Sequence, residues 1–195
     1  MRYEKGRKDA SRRKIMEVAS ERFRSDGIAA TGLATIMSDA GMTNGAFYPH
    51  FQSKAELVRE TVAATLEAQA KQLQELLAAG GLEAAIAAYL SPEHRDNPEN
   101  GCAAAALLPE LTRQPLKTRR RHVECFLTMV REMASGLPPQ TRDPEAVALG
   151  IYATLIGALQ LARAAKGTAL SDRILKAGAD AARALVEARQ DEDSP

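Results

Sequence analysis

Leu33–Tyr48 reads LATIMSDAGMTNGAFY, and the spacing of its apolar residues decides the fold. Leu33, Ile36 and Met37 share one face of a short helix, the i, i+3, i+4 spacing that a helix buries. Ala34 is small enough for a second helix to cross closely, and Gly41 supplies a turn that a Cβ would resist. Met42 and Phe47 then close the core beneath. What stays outside is Thr43, Asn44, Gly45 and Tyr48, namely hydroxyls and an amide that hydrogen-bond base edges or phosphate, and a glycine that permits close approach. The layout is a helix-turn-helix, but an ordinary helical corner shares this pattern, so the flanks must decide.

Upstream, Ile15, Val18, Ala19, Arg22 and Phe23 lie at helical spacing and Gly27 follows as a left-handed stop, so a first helix is expected over about 11–26. Before it, residues 1–14 carry seven Lys/Arg (Arg2, Lys5, Arg7, Lys8, Arg12, Arg13, Lys14) against Glu4 and Asp9. That arm is +5 in a chain whose formal net charge is +1, so the remainder is −4; a basic arm of this kind neutralises phosphates or is a solvated tail. Thr31 is positioned to cap the second helix, and a third short helix begins near Thr43. Downstream, Tyr48, His50 and Lys54 follow, and Ser53 with Glu56 forms a capping box that opens a long fourth helix, with Lys54 beside its free N–H groups.

The stretch from Arg12 to Leu57 resembles the TetR family of regulators. The resemblance is carried by Ile15-x3-Ala19-x3-Phe23-x3-Gly27, then Thr31, Ile36 and Ala40-Gly41-Met42-Thr43-x-Gly45-Ala46-Phe47-Tyr48-x-His50-Phe51-x-Ser53-Lys54-x-x-Leu57, about a quarter of the chain. The sequence departs from the usual pattern at Gly32, where Ser or Thr is common, and at Met37-Ser38, where alanine commonly follows the isoleucine. The resemblance implies a two-fold dimer on palindromic double-stranded DNA. It assigns base or phosphate contact to Thr43, Asn44 and Gly45, and phosphate contact to Thr31, Tyr48, His50 and Lys54.

Beyond Leu57 the pattern is all helix, in an Ala-rich chain that is 45% hydrophobic and poor in β-branched and aromatic runs. The expected fold is all-α, with a three-helix head on a larger antiparallel body and about nine helices in total. The head is expected over 1–52, a ligand-binding and dimerisation body over 53–189, and a disordered acidic tail over 190–195. The fourth helix should end at Gly80-Gly81, a fifth at Ser91-Pro92, and Ser91–Asn100 should be a mobile polar loop. Pro98–Leu111, with its Gly101-Cys102 pair at the start of a sixth helix, is similar to a subgroup of TetR regulators related to the LmrA and YxaF proteins.

The long apolar faces of the body carry a few polar groups, and Leu66, Tyr89, Cys102, Phe126, Met129, Met133, Tyr152 and Gln160 are the candidate lining of a pocket for a small, mostly apolar effector; each is also an ordinary core residue in type. Small residues at Gly150, Ala153, Gly157, Ala158 and Ala162 on the eighth helix, with Ile174, Leu175, Ala181, Leu185 and Val186 on the ninth, predict a homodimer through these two helices, the ninth opening at Ser171 as cap. The charge-free run from Ala146 to Ala162 approaches a membrane span, but Tyr152, Thr154, Gln160 and two glycines suit a helix buried among helices. The charged N-terminus is no secretory signal, and the expected location is the cytoplasm.

Three histidines without metal-ligand spacing and the lack of a phosphate loop or nucleophile elbow point away from an enzyme, a cofactor or a metal. Cys102 and Cys125 are expected to be reduced; a thiol sensor at Cys102, which opens a helix, or at Cys125, near Arg120, Arg121 and His122, is the competing reading.

Overall fold

The computed structural model describes residues 2–188, with side chains from Gly6 onward. The expected tail at 190–195 and the side chains of Arg2 and Lys5 lie outside the described residues. Among these residues there are eight α-helices and no strand: α1 Arg2–Asp26, α2 Leu33–Asp39, α3 Lys54–Tyr89, α4 Pro92–Asp96, α5 Ala103–Leu111, α6 Leu116–Ser135, α7 Pro144–Ala164 and α8 Ala169–Glu187. Two short 3-10 turns, Asn44–Ala46 and Pro98–Asn100, complete the path.

The count of eight replaces the expected nine for three local reasons. The third helix of the head is only the 3-10 turn Asn44–Ala46, continued by a bend through Phe51 in which His50 and Phe51 N–H both donate to Phe47 O. Gly45 weakens an α-helix there and Pro49 has no N–H to extend one. The expected fourth and fifth helices are counted together as α3, and the break expected between them at Gly80-Gly81 is present, with Gly81 non-helical (φ 65°, ψ −166°). The expected polar loop instead folds into α4, with Ser91 Oγ accepting from His94 N at 3.1 Å and Pro92 in the first turn.

The basic segment is also helical: α1 begins at Arg2, so residues 2–10 extend the first helix rather than trailing from it. Its buried face (Ile15, Val18, Ala19, Phe23) meets Ile36, Met37, Phe47 and Phe51 to form the core of the head. That core is small, and the first turns of α3 complete it with Leu57 and Val58, both buried. Ala34 is exposed and takes no part in a helix crossing; Gly41 has the expected left-handed backbone (φ 71°). The capping box is present in a shifted form: Glu56 N donates to Ser53 Oγ at 3.2 Å, but the Glu56 carboxylate accepts from Gln52 N at 2.6 Å.

In the body, α3 packs on α6, α6 on α7, and α7 on α8. Asp143 caps α7 as its sequence predicts, with Oδ1 accepting from Ala146 N at 3.2 Å. Ser171 does not cap the last helix. Helix α8 starts two residues earlier, and the buried Ser171 hydroxyl donates to Ala162 O at 2.7 Å, joining α8 to α7. By length and composition α7 could cross a membrane (mean hydropathy 1.5), yet Val147, Ile151, Tyr152, Leu155, Leu159 and Ala162 are buried against protein.

Head and body are also joined at a second place. The Glu110 carboxylate at the end of α5 accepts from Ile28 N (3.0 Å) and Ala29 N (2.7 Å), in the turn after α1. Gly27, at φ 89°, fits there because a Cβ would sit 2.6 Å from Glu110 Oε1.

Candidate functional site

The outward edge of the head is made by the 3-10 turn and the residues beside it. Thr43, Asn44 and Gly45 are exposed, a Cβ at Gly45 would meet nothing within 4 Å, and Tyr48 is 69% exposed. Tyr48 stands edge-on to the buried Phe47 ring (centroids 5.5 Å apart), so a core aromatic supports its exposed ring. This edge borders α1: the half-buried His50 is close enough to Lys8 and Arg12 that both oppose its protonation, and burial opposes it more strongly still, so its pKa lies below the ordinary value. Its Nδ1 is buried without a partner. Arg12 lies over the Phe51 ring at 4.7 Å, which fixes the basic face of α1 against the turn.

Two expected phosphate contacts are placed differently. Thr31 is buried, and its hydroxyl donates to Gly27 O at 2.7 Å, a carbonyl that also accepts from Thr31 N at 3.3 Å, so the hydroxyl is satisfied inside the turn that leaves α1. It neither caps α2, whose N-terminal cap is Gly32, nor faces outward. The Lys54 ammonium donates to Ile28 O at 2.5 Å, bracing the same turn from α3, with two further protons uncommitted by that bond.

Within the body a cavity of about 560 Å³ opens between α3, α4, α6 and α7. Of the sequence candidates it brings together Tyr89, Cys102, Met129, Met133 and Tyr152. Leu66, Phe126 and Gln160 are not in its wall. Leu66 is fully buried in the core, Phe126 packs edge-on to Tyr152 at 5.4 Å, and the Gln160 amide is spent on Ala105 O. Sequence reasoning missed Gln69, His94 and Asn97, which also line it. The signal was available: Ser91-Pro92 is a cap followed by a first-turn proline, the same start that marks α7, and it was read as a stop.

His94 organises this wall. Its Nε2 accepts from Cys102 N at 2.9 Å and its Nδ1 donates to Tyr89 O at 2.7 Å, which fixes a neutral ring; burial lowers its pKa accordingly. Gln69 donates to Gly101 O at 2.8 Å and accepts from Ala103 N at 3.3 Å. Behind the wall, Arg24 of α1 donates from Nε to Glu99 O at 2.6 Å and from Nη1 to Ser20 Oγ at 2.5 Å, and Ser20 pairs with Thr65 of α3 at 2.8 Å. The cavity wall is therefore fastened directly to the first helix of the head. Cys102 and Cys125 are both buried, and burial pushes the Cys125 thiol up despite Arg121, an environment that disfavours thiolate chemistry.

Residues 15–61 match the family model described as bacterial regulatory proteins, tetR family. That match takes in the second half of α1, all of α2 and the first turns of α3, so the head is similar to this family over about a quarter of the chain. Within the matched region the chain is 49% identical over 49 residues to the HTH-type transcriptional regulator TtgR of Pseudomonas putida, 25% of this chain and 23% of that one, so the match spans under a quarter of that curated relative. The fold extends further than the sequence match. A TetR-family regulator from Agrobacterium tumefaciens superimposes with a TM-score of 0.69 at 22% identity, covering 89% of this chain and 97% of that one. FadR from Bacillus subtilis, solved in complex with stearoyl-CoA, does so with a TM-score of 0.64 at 14% identity, over 89% and 96%. The body, outside the family match, thus shares the fold of these solved structures.

Proposed function

We propose that the chain is a DNA-binding transcriptional regulator rather than an enzyme, acting as a repressor that leaves a palindromic operator when a small, mostly apolar effector enters the body cavity. The observation that carries this is the exposed Thr43–Asn44–Gly45–Tyr48 edge set against the basic face of α1 in a TetR-type head. In this reading Thr43, Asn44 and Gly45 meet base edges or phosphate, and Tyr48, His50 and Lys54 meet phosphate. Residues 1–52 serve as head and 53–189 as body, in the cytoplasm, and the stretch with Gly101-Cys102 at the start of α5 keeps the likeness of the body to the LmrA and YxaF proteins.

A homodimer is part of the proposal, formed through α7 and α8 in place of the expected eighth and ninth helices. Support comes from the outer face of α7, where Leu149 (44% exposed) and Leu161 (62% exposed) flank Ala153 and Gly157 without a charge between them. Two heads about 34–36 Å apart are what a palindrome requires. The effector acts in proportion to its preference for the non-binding state, and the Arg24–Glu99 and Glu110–Ile28/Ala29 bonds give it a route from cavity to head. Selection of bound DNA from a random pool tests the function: a recovered inverted repeat is expected, and binding without preference for any palindromic site would refute it.

A further inference from the structure

The wall of the body cavity is polar at one end, and its less exposed side chains there, Gln69 and His94, are already committed to backbone. Both nitrogens of His94 and both ends of the Gln69 amide are bonded to backbone, and Asn97 Nδ2 donates to Glu93 O at 2.8 Å. The Tyr152 hydroxyl has a long bond to Met129 O, 3.5 Å. Gln72 and Asn100 keep free amides, but both are exposed, and the half-buried Ser91 hydroxyl sits at the start of α4, where it accepts from His94 N. Among the buried groups, the Tyr89 hydroxyl lines the cavity with no oxygen or nitrogen partner, and its side-chain neighbour is the Cys102 thiol, a weak acceptor.

The charge in the wall is equally restricted. Glu93 is the lining residue that carries a formal charge, and it is exposed at the mouth, where water screens it. Arg163 lies behind the wall and not in it, with Nη2 and Nε donating to His94 O and Arg95 O at 2.9 and 3.2 Å. A buried ion in the cavity would therefore have no ion-pair partner in contact, and burying an unpaired charge is strongly unfavourable. A neutral molecule lacks that cost, and an oxygen acceptor on it satisfies the hydroxyl that the protein leaves without an oxygen or nitrogen partner.

From this we infer that the cavity selects an uncharged ligand bearing a carbonyl or ether oxygen, received by the Tyr89 hydroxyl, with its apolar body against Leu73, Met129, Met133 and Leu155. The inference rests on the reading of the cavity as an effector site, and it adds the chemical class of the effector. Ring-sized probes are suitable because the cavity falls in the range of pockets that take drug-sized molecules.

The test uses the full chain and four naphthalenes of similar shape in titration calorimetry: 2-acetonaphthone, 2-isopropylnaphthalene, 2-naphthoate and 2-naphthylmethylammonium. The ketone should bind about tenfold more tightly than the hydrocarbon, and the two ions more weakly than either. Tyr89→Phe should erase the difference between ketone and hydrocarbon, and an unchanged helical circular dichroism spectrum and unfolding midpoint show that the variant is folded. Preference for either ion, an unchanged ketone-to-hydrocarbon ratio in Tyr89→Phe, or no binding of any of the four overturns the inference. Operator affinity measured with bound ketone separates the two layers: tight ketone binding with no change on DNA leaves the ligand class intact and removes the regulatory reading.

Discussion

Thr31 and Tyr48 show how residues drawn from one motif divide between holding the head together and facing outward. Tyr48 is mostly exposed and Asn44 lies on the same edge, so their removal should cost binding and not stability. We expect Asn44→Ala and Tyr48→Ala each to weaken operator binding by roughly tenfold or more, as loss of a base or phosphate contact does, read by fluorescence anisotropy at fixed salt with an unchanged unfolding midpoint. Thr31→Val should do the opposite. Losing its bond to Gly27 O should lower stability by about 1 kcal/mol in denaturant titration. If Thr31 met a phosphate, DNA affinity at fixed salt would fall in that variant; a buried hydroxyl leaves it unchanged under conditions where the variant is folded.

Among the elements, α3 and the segment Asn97–Cys102 tie the head to the cavity. Helix α3 starts in the core of the head and reaches the cavity before its break at Gly81, through Gln69, Gln72 and Leu73 in the wall. The segment Asn97–Cys102 is held by Arg24 of α1 from one side and by Gln69 of α3 from the other. Arg24→Ala should free the first attachment: amide hydrogen exchange should speed up across 97–102 while the core of the head, around Ile36 and Phe47, keeps its protection. Equal exchange in wild type and variant would show that Arg24 does not hold the cavity wall, and the proposed route from effector to DNA would lose its main link.

For the molecule as a whole, the outer face of α7 and the three histidines carry the predictions. A carboxylate in the middle of the proposed dimer face should be intolerable there, so Ala153→Glu should give a monomer in sedimentation velocity and lose operator affinity while remaining helical. His50, His94 and His122 all have pKa values lowered from 6.5, burial being the leading cause for each. Between 6.5 and those lower values the unfolded chain binds more protons than the folded one, so stability falls as pH falls through this window. Thermal unfolding at pH 7.5 and 5.5 should show a lower midpoint at pH 5.5, and His94→Asn should reduce the difference, because His94 must give up its bond from Cys102 N to become charged.

The sequence by itself determined the helical class, the caps at Ser53 and Asp143 and the start of α7, because periodicity, capping and turn residues act within one or two turns of chain. It also marked Thr43, Asn44, Gly45 and Tyr48 as a set, since their exposure follows from which neighbours are apolar. What only the tertiary structure decided involves residues brought together from distant segments. Thr31 is buried with its hydroxyl on Gly27 O, Gln160 falls outside the cavity because its amide bonds Ala105 O where α7 meets α5, and Leu66 does so because it is fully buried in the core. His94 and Gln69 enter the cavity through bonds to Cys102, Gly101 and Ala103, eight to thirty-four residues away. Local spacing says which face a side chain shares with its neighbours; it does not say what stands opposite that face, and here the opposing groups set which polar atoms are spent and which remain for a ligand.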